Sequence, residues 1–297
     1  MTDRRAHLDA LAMTVMVGLC LLWGLNQVAA KLANAGISPV MQAGLRSAGA
    51  APLLWAWSAW RGIPLFGRDG TLIPGLAAGL LFAGEFALIF WGLEYTTASR
   101  GVVFLYTAPF VVALGMHVLV PAERLNRWQT IGLVLAFLGV VAAFAETLVL
   151  PSGRQWLGDA MLLVSAVMWG ATTVLVRCSR LAKASAEKTL FYQLALSAVL
   201  LPFASLALGE KGFTDPTPLV WALLAWQAVG VAFASYLAWF WLITRYPATR
   251  LSAFSFLTPL FGMLFGAWLL DERITPMLGL AMVLVAVGIW LVNRKKV

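Results

Sequence analysis

The sequence predicts an all-α membrane protein with ten transmembrane helices, arranged as two inverted five-helix repeats around a central cavity. Composition and an internal repeat both predict this fold. The chain has 297 residues, of which 61% are hydrophobic and only 11% charged, whereas soluble domains carry about 25% charged residues. With a mean hydropathy of +0.86, most of the chain is expected to lie inside a bilayer.

Ten apolar stretches are each long enough to cross a hydrocarbon core about 30 Å thick. The connections between them are short, so no separate soluble domain is expected. The predicted spans are residues 11–33, 40–60, 72–94, 99–120, 127–146, 157–177, 187–208, 218–243, 250–270 and 275–293.

The second half of the sequence repeats the first. Trp23-Gly24 and Trp169-Gly170 each precede a cation at the same spacing, Lys31 and Arg177. At a shift of 150, Ala98-Ser99-Arg100 matches Ala248-Thr249-Arg250 and Pro109 matches Pro259, while Glu123 matches Glu272 at a shift of 149. A unit with an odd number of spans inserts its two copies in opposite orientations, as in alternating-access transporters. The predicted repeats are residues 1–148 and 149–297.

Lys and Arg residues predict the orientation of the chain. If the first span runs from inside to outside, the inner segments hold roughly three times as many of the 21 cations as the outer segments. Such an excess marks the cytoplasmic side of a membrane protein. We therefore expect both termini in the cytoplasm. Because this bias accounts for the net charge of +8, we expect no nucleic-acid partner.

Two ionisable side chains fall well inside predicted spans, Arg46 in the second and Glu85 in the third. Charged groups are costly in a bilayer and usually mark a pathway or a site. One interpretation is that they contact a charged or zwitterionic substrate, or carry a proton. The alternative is a structural ion pair between the two opposite charges.

Uncharged polar residues recur at matched places in the two repeats. Asn26 and Gln27 follow the first Trp-Gly pair, and Thr172 and Thr173 follow the second. Matched polar groups near the middle of the membrane are expected of a site on a pseudo-twofold axis. Hydrogen bonding between helices is the alternative role.

Aromatic residues deep in the spans complete the predicted substrate site. Tyr106 and Tyr236 are expected to supply neutral hydrogen-bonding groups, and Trp23, Trp169 and Trp239 to supply apolar walls. Such a pocket accommodates both an ammonium and a carboxylate without holding either too tightly. We expect it near mid-membrane, between the first, third, fourth, sixth, eighth and ninth spans.

Pro109 and Pro259 are the predicted gating residues, at equivalent places in the fourth and ninth spans. A proline inside a helix removes a backbone hydrogen bond and bends the helix. Bends at corresponding places in two halves indicate the moving parts of a transporter.

Motifs for enzymatic chemistry are missing from the sequence. It has no G-x-x-x-x-G-K-[ST] phosphate loop, no G-x-S-x-G element and no cluster with metal-ligand spacing. We therefore expect no enzymatic activity, no cofactor and no metal. The expected partners are a small-molecule substrate and the lipid bilayer. The sequence sets no oligomeric state, and a monomer is compatible with it.

The Trp-Gly pairs, the A-[ST]-R steps and the matched prolines resemble those of the drug/metabolite transporter superfamily, and within it the EamA family. The likeness runs from about Leu11 to Val292. It implies a ten-helix bundle with a central cavity and export of amino acids or related metabolites across a bacterial inner membrane. Small multidrug members carry a glutamate eight residues before a lysine in their first span. Trp23 occupies that place here, which favours an uncharged or zwitterionic solute.

The sequence thus predicts a transporter that exports amino acids, with aromatic and other apolar ones preferred, by alternating access. A multidrug or other metabolite carrier of the same fold is one alternative. A membrane scaffold or channel subunit is an alternative from another class, but two upside-down halves would give a scaffold no evident advantage.

Overall fold

The computed structural model describes residues 5, 7–145, 148, 150, 153–272 and 276–294. These residues form ten long helical segments, numbered here in chain order. They are α1 Ala10–Ala33, α2 Pro39–Trp60, α3 Leu72–Leu93, α4 Ala98–Leu119, α5 Arg127–Phe144, α6 Gln155–Cys178, α7 Ala186–Ala207, α8 Pro218–Arg245, α9 Ala248–Leu270 and α10 Met277–Asn293. Each coincides with a predicted span to within a few residues. Residue 146 of the fifth predicted span, residue 275 of the tenth, and residue 149 at the predicted repeat boundary lie outside the described residues.

Eight of the helices in the described part of the chain are long and apolar enough to cross a membrane. The prediction of a multi-pass all-α membrane protein is therefore supported. The other two are α10, which is apolar but has 17 residues, and α2, which has 22 residues and includes Gln42 and Arg46. That these two also cross the bilayer remains a prediction.

Three of the ten segments are interrupted. α4 consists of Ala98–Leu105 and Ala108–Leu119, and α9 of Ala248–Phe254 and Leu257–Leu270. The middle of α8, Gln227–Ser235, is a π-helix between two α-helical pieces. Such departures from the regular helix occur frequently at functional sites.

Local sequence signals start several helices. The Asp9 carboxylate accepts from the backbone N–H of Ala12 and caps α1. Asn126 and Gln129 form a reciprocal capping box at the start of α5, and the Ser185 hydroxyl caps α7. These side chains satisfy backbone N–H groups that have no partner within their helix.

The most extensive helix pairings join the two halves of the sequence. α5 packs along α10, α2 along α7 and α8, α3 along α6 and α7, α1 along α8 and α9, and α4 along α6. Each helix of the first half has a counterpart five places later in the chain, such as α6 for α1. If every helix is exchanged with its counterpart, the same set of pairings results. When the α2–α7 pairing is set aside, the remaining pairings divide the eight helices other than α5 and α10 into two groups, α1, α2, α8 and α9 in one and α3, α4, α6 and α7 in the other, and α2 and α7 pack together where the groups meet.

Small residues set the closest of these contacts. Gly132 of α5 lies so near α10 that an added Cβ would be 2.6 Å from the carbonyl oxygen of Gly288. Gly139 makes the same kind of contact with the carbonyl oxygen of Ala281. Close approach at small residues is the usual way in which membrane helices pack. α5 and α10 pack against each other, and none of their described residues lines the cavity described below.

Carboxylates in two loops fix the antiparallel pair of α2 and α7. Glu210, which follows α7, accepts from the backbone N–H groups of Val40 and Met41 at the start of α2. Asp69, which follows α2, accepts from the ammonium of Lys188 near the start of α7 at 2.8 Å. This bond, with one from the Thr71 hydroxyl, holds the pKa of Asp69 well below its usual range.

Both ends of the described chain lie at one face of the bundle, here called the termini face. Arg250, near the start of α9, contacts the His7 ring, and its guanidinium also reaches the carbonyl oxygen of Asn293 at the end of α10. The α8–α9 turn therefore belongs to the termini face, and the α3–α4 turn, at the other ends of the helices, belongs to the opposite face.

Candidate substrate site

A cavity of about 190 Å³ lies between the two helix groups. Since a water molecule needs about 10–15 Å³ of such space, the cavity has room for a small organic solute. It is lined by Trp23, Asn26, Gln27, Arg46, Phe82, Glu85, Phe86, Ile89, Leu105, Tyr106, Trp169, Thr172, Thr173, Gln193, Val231, Tyr236, Trp239, Phe240 and Thr258. All ten residues that the sequence predicts for substrate binding are in this lining.

Eight helices contribute to the lining, rather than the six that were predicted. The two additional helices each contribute one residue, Arg46 from α2 and Gln193 from α7. The prediction omitted α2 although it placed Arg46 in the site. Gln193 could have been found by the same signal as Arg46, a polar side chain in the middle of an apolar span.

Aromatic rings form most of the wall on the side of α1 and α8. The Trp23 ring meets the Trp239 ring edge-on at 5.8 Å between centroids and the Tyr236 ring at 6.4 Å. Its indole Nε1–H donates to the hydroxyl of Ser235 at 2.9 Å, and Ser235 is the last residue of the π-helix. The irregular part of α8 therefore orients the Trp23 ring.

A second aromatic pair faces the cavity from the other helix group. The rings of Tyr106 and Trp169 meet edge-on with centroids 5.9 Å apart. The hydroxyls of Thr172 and Thr173 donate to carbonyl oxygens one turn earlier in α6. Their oxygens keep free lone pairs, so they can act as acceptors for a solute.

The glycine of each Trp-Gly pair explains how the tryptophans reach the cavity. An added Cβ on Gly24 would lie 2.8 Å from the Cβ of Phe261 and 2.9 Å from the backbone nitrogen of Gly262 in α9. An added Cβ on Gly170 would lie 2.5 Å from the Cβ of Val111 in α4. Each glycine thus allows two helices to touch while the tryptophan before it lines the cavity.

Arg46 and Glu85 do not form the ion pair that was one of their two predicted roles. Among the described residues, no salt bridge joins them. The Arg46 guanidinium instead lies over the Phe86 ring, 4.4 Å from its centroid. Both side chains are more than nine-tenths buried, so a guanidinium and a carboxyl group share the cavity without being in contact.

Several buried polar atoms of the lining have no hydrogen-bond partner within the described part of the protein. They are Nε and Nη2 of Arg46, Oδ1 of Asn26 and Oε1 of Gln193. Leaving a buried polar group unpaired costs about 1–3 kcal/mol, and more for a charged group. The cavity therefore offers unpaired donors and acceptors to a solute that carries both kinds of group.

The two predicted gating prolines lie beside the cavity but outside its lining. Pro109 is in the first turn of the second piece of α4, and Pro259 is in the first turn of the second piece of α9. Proline is tolerated there because N–H groups in a first turn have no partner within the helix. Tyr106 and Thr258, which line the cavity, are next to these two breaks.

The sequence pattern of the EamA-like transporter family matches residues 10–145 and, a second time, residues 156–294. The chain belongs to the EamA-like transporter family. This confirms the resemblance predicted from the Trp-Gly pairs, the A-[ST]-R steps and the matched prolines. The family is one of transporters rather than enzymes.

Relatives in bacteria and archaea match over nearly the whole chain. An uncharacterized transporter of Archaeoglobus fulgidus is 28% identical, with 99% of both chains covered. A probable amino-acid metabolite efflux pump of Escherichia coli is 25% identical, covering 95% of this chain and 93% of the relative. A protein of known crystal structure shares the fold with a TM-score of 0.81 at 20% identity, covering 94% and 97% of the two chains.

Proposed function

We propose that this protein exports amino acids from the cytoplasm, with preference for those that have aromatic or other apolar side chains. The observation that carries this proposal is a guanidinium and a carboxyl group held apart in an aromatic cavity. Arg46 offers unpaired N–H groups to a carboxylate, and Glu85 can accept from an ammonium. Five of the lining residues are Trp or Tyr, which favours an apolar side chain on the solute.

The relatives support the chemical class of the substrate. Besides the protein from Escherichia coli, a probable amino-acid metabolite efflux pump of Salmonella typhimurium is 27% identical over 294 residues. Amino acids share a carboxylate and an ammonium on one carbon, so one polar part of the cavity can serve many of them. The side chain then meets the aromatic rings, which set the preference.

Transport by alternating access is the mechanism that we propose. It is supported by the double match to the family pattern and by helix pairings that the exchange of the two halves leaves unchanged. In this mechanism the repeats, residues 1–148 and 149–297, are inverted with respect to each other. The two helix groups then rock about the cavity and open it to one face at a time.

The orientation of the chain is part of the same proposal. The excess of Lys and Arg at the predicted inner side favours a bacterial inner membrane with both termini in the cytoplasm. The termini face is then the cytoplasmic face. A tag at the C-terminus, detected in intact cells and in inverted membrane vesicles, tests the orientation directly.

Transport by the purified protein in liposomes tests the substrate. Liposomes loaded with unlabelled phenylalanine should take up labelled phenylalanine, tryptophan and leucine by exchange, faster than aspartate, lysine or glucose. Liposomes without protein and liposomes with the Glu85→Ala variant are the controls. Uptake of lipophilic cations without uptake of any amino acid would contradict the proposal and favour the multidrug alternative.

A further inference from the structure

A buried ion pair at the termini face makes hydrogen bonds to both helix groups. Glu123 follows α4, and Arg177 is the last residue but one of α6. Arg177 donates to Oε1 of Glu123 from Nε at 2.8 Å and from Nη2 at 2.5 Å. Both side chains are only 6% exposed.

Each member of this pair also bonds to the other helix group. Nη1 of Arg177 donates to the carbonyl oxygen of Ile243 at 3.0 Å, near the end of α8. Oε2 of Glu123 accepts from the backbone N–H of Ala248 at 2.9 Å, the first residue of α9. The pair thus makes a hydrogen bond to each side of the α8–α9 turn. We call Glu123, Arg177, Ile243 and Ala248 the clamp.

The internal repeat places an equivalent pair at the opposite face. Lys31 corresponds to Arg177, since both follow the tryptophan of a Trp-Gly pair by eight residues, and Glu272 corresponds to Glu123. Lys31 and Glu272 do form an ion pair, with 2.5 Å between Nζ and Oε1. Two salt bridges of the bundle are therefore copies of each other.

The two copies differ in burial and in their contacts. Lys31 is 64% exposed and Glu272 45% exposed. At the shift of 150, Ile243 and Ala248 correspond to Leu93 and Ala98 of the α3–α4 turn. Among the described residues, no hydrogen bond joins Lys31 or Glu272 to that turn. The ion pair at the opposite face is therefore formed, but it makes no hydrogen bond to the α3–α4 turn within the described part of the chain.

We propose that Glu123 and Arg177 are gating residues that hold the cavity shut at the termini face, and that Lys31 and Glu272 take over this task at the opposite face. In the second state, Lys31 donates to the carbonyl oxygen of Leu93 and Glu272 accepts from the N–H of Ala98. The clamp at the α8–α9 turn is then released. The present structure is accordingly the state that is closed toward the termini. This inference rests on the proposed transport by alternating access.

The accessibility of a cysteine in the cavity tests the clamp without any substrate. The reporter is Thr172→Cys in a chain that also carries Cys20→Ser and Cys178→Ser. Its labelling by a membrane-impermeant maleimide is measured from each side of the membrane, in intact spheroplasts and in inverted vesicles. Because no solute is needed, a failure of the clamp and a failure of the substrate assignment give different results.

The two pairs should act in opposite directions. Glu123→Gln should raise labelling from the side of the termini at least about tenfold, because tenfold corresponds to only about 1.4 kcal/mol, less than a hydrogen bond to a charged group can contribute. Glu272→Gln removes the same kind of charge at the equivalent site and should lower labelling from that side. A purely structural ion pair would not produce opposite shifts.

An exchange of the two cations provides the matched control. The double variant Arg177→Lys, Lys31→Arg keeps every charge, but moves the forked guanidinium to the opposite face. It should shift labelling toward the side of the termini, as Glu123→Gln does, even if the latter folds poorly. Equal labelling ratios in the exchanged and unexchanged proteins, or shifts of one sign for both glutamine variants, would overturn the proposal.

Discussion

Arg46 carries a buried charge without a buried counterion in contact. Its guanidinium is stabilised by the face of Phe86 at 4.4 Å, a cation–π contact that contributes about 0.5–2 kcal/mol. Two of its nitrogens have no hydrogen-bond partner among the described residues. A buried guanidinium with unpaired N–H groups adds little to the free energy of unfolding. The same unpaired N–H groups can bind the carboxylate of a solute.

Replacing Arg46 with methionine should therefore separate stability from transport. Removing an unpaired buried charge should leave the melting temperature unchanged or raise it. Transport of phenylalanine should fall at least about tenfold, because a charge-assisted bond of about 1.5–3 kcal/mol to the carboxylate is lost. Melting of the purified protein and exchange in liposomes measure the two effects. A large loss of stability would show that Arg46 is a structural residue.

Trp169 and Trp239 should set the preference among substrates. Replacing either with alanine removes a ring from the cavity wall and should shift the ratio of tryptophan to alanine transport several-fold, since one ring contact contributes about 1 kcal/mol. Trp268, which is 75% exposed and absent from the lining, is the matched control. If the substitutions scaled the transport of every amino acid equally, the two rings would be packing residues.

Close helix packing at Gly24 can be tested within α1 itself. Gly24→Ala would place a Cβ against the Cβ of Phe261 and the backbone of α9, and overpacking of this kind typically costs about 1–3 kcal/mol. Gly18 lies in the same helix with nothing within 4 Å of an added Cβ. Gly18→Ala should therefore be neutral or stabilising. Equal melting temperatures for the two variants would contradict the packing role of Gly24.

The breaks in α4 and α9 lie next to the cavity. If Pro109 and Pro259 maintain them, replacing either with alanine should let the helix continue and should slow transport more than it lowers the folded yield. Pro202, which lies inside the continuous helix α7, is the control, because its replacement should leave transport nearly unchanged. Transport at the original rate in both variants would make the breaks incidental to gating.

The helices illustrate what sequence patterns can and cannot predict. Their bounds follow from hydropathy, because a bilayer demands apolar stretches of a fixed length. The π-helix in α8 has no comparable signal, since Gln227–Ser235 is apolar in the same way as the α-helical pieces beside it. Its conformation accompanies packing against neighbours such as α2, which only the folded structure provides.

The polar residues of the site could be predicted from the sequence, because polar residues are rare inside membrane spans. Arg46, Glu85 and Asn26 stood out because polar groups inside a span require an explanation. Phe82 and Phe240 also line the cavity, but apolar residues give no such signal and either face of their helices could have been turned inward. Whether Arg46 and Glu85 touch each other likewise depended on the packing of α2 against α3.

At the scale of the whole molecule, the repeat explains features that would otherwise be unrelated. It accounts for the two Trp-Gly contacts, the breaks in α4 and α9, and the two ion pairs Glu123–Arg177 and Lys31–Glu272. The differences between the copies are then informative. A buried pair at one face and an exposed pair at the other are what one of two alternating states would display.

The pairing of helices across the two halves has a consequence for biosynthesis. The principal partners of α1, α2 and α3 belong to the second half, so the ribosome makes the first five helices before it makes those partners. We therefore expect the two repeats to be units of sequence rather than independent units of folding. On this expectation, a nascent chain stays partly assembled until α10 has been synthesised.

Expression of the halves as separate polypeptides tests this order of events. Residues 1–148 alone should be degraded rapidly, whereas co-expression with residues 149–297 should protect them and restore amino acid exchange. Pulse-chase labelling in cells measures the lifetimes. A long-lived first half would mean that five helices suffice for a stable unit. If the halves do depend on each other, every molecule passes through an incomplete bundle during its translation. A membrane quality-control protease can therefore encounter an incomplete bundle in each molecule that is made.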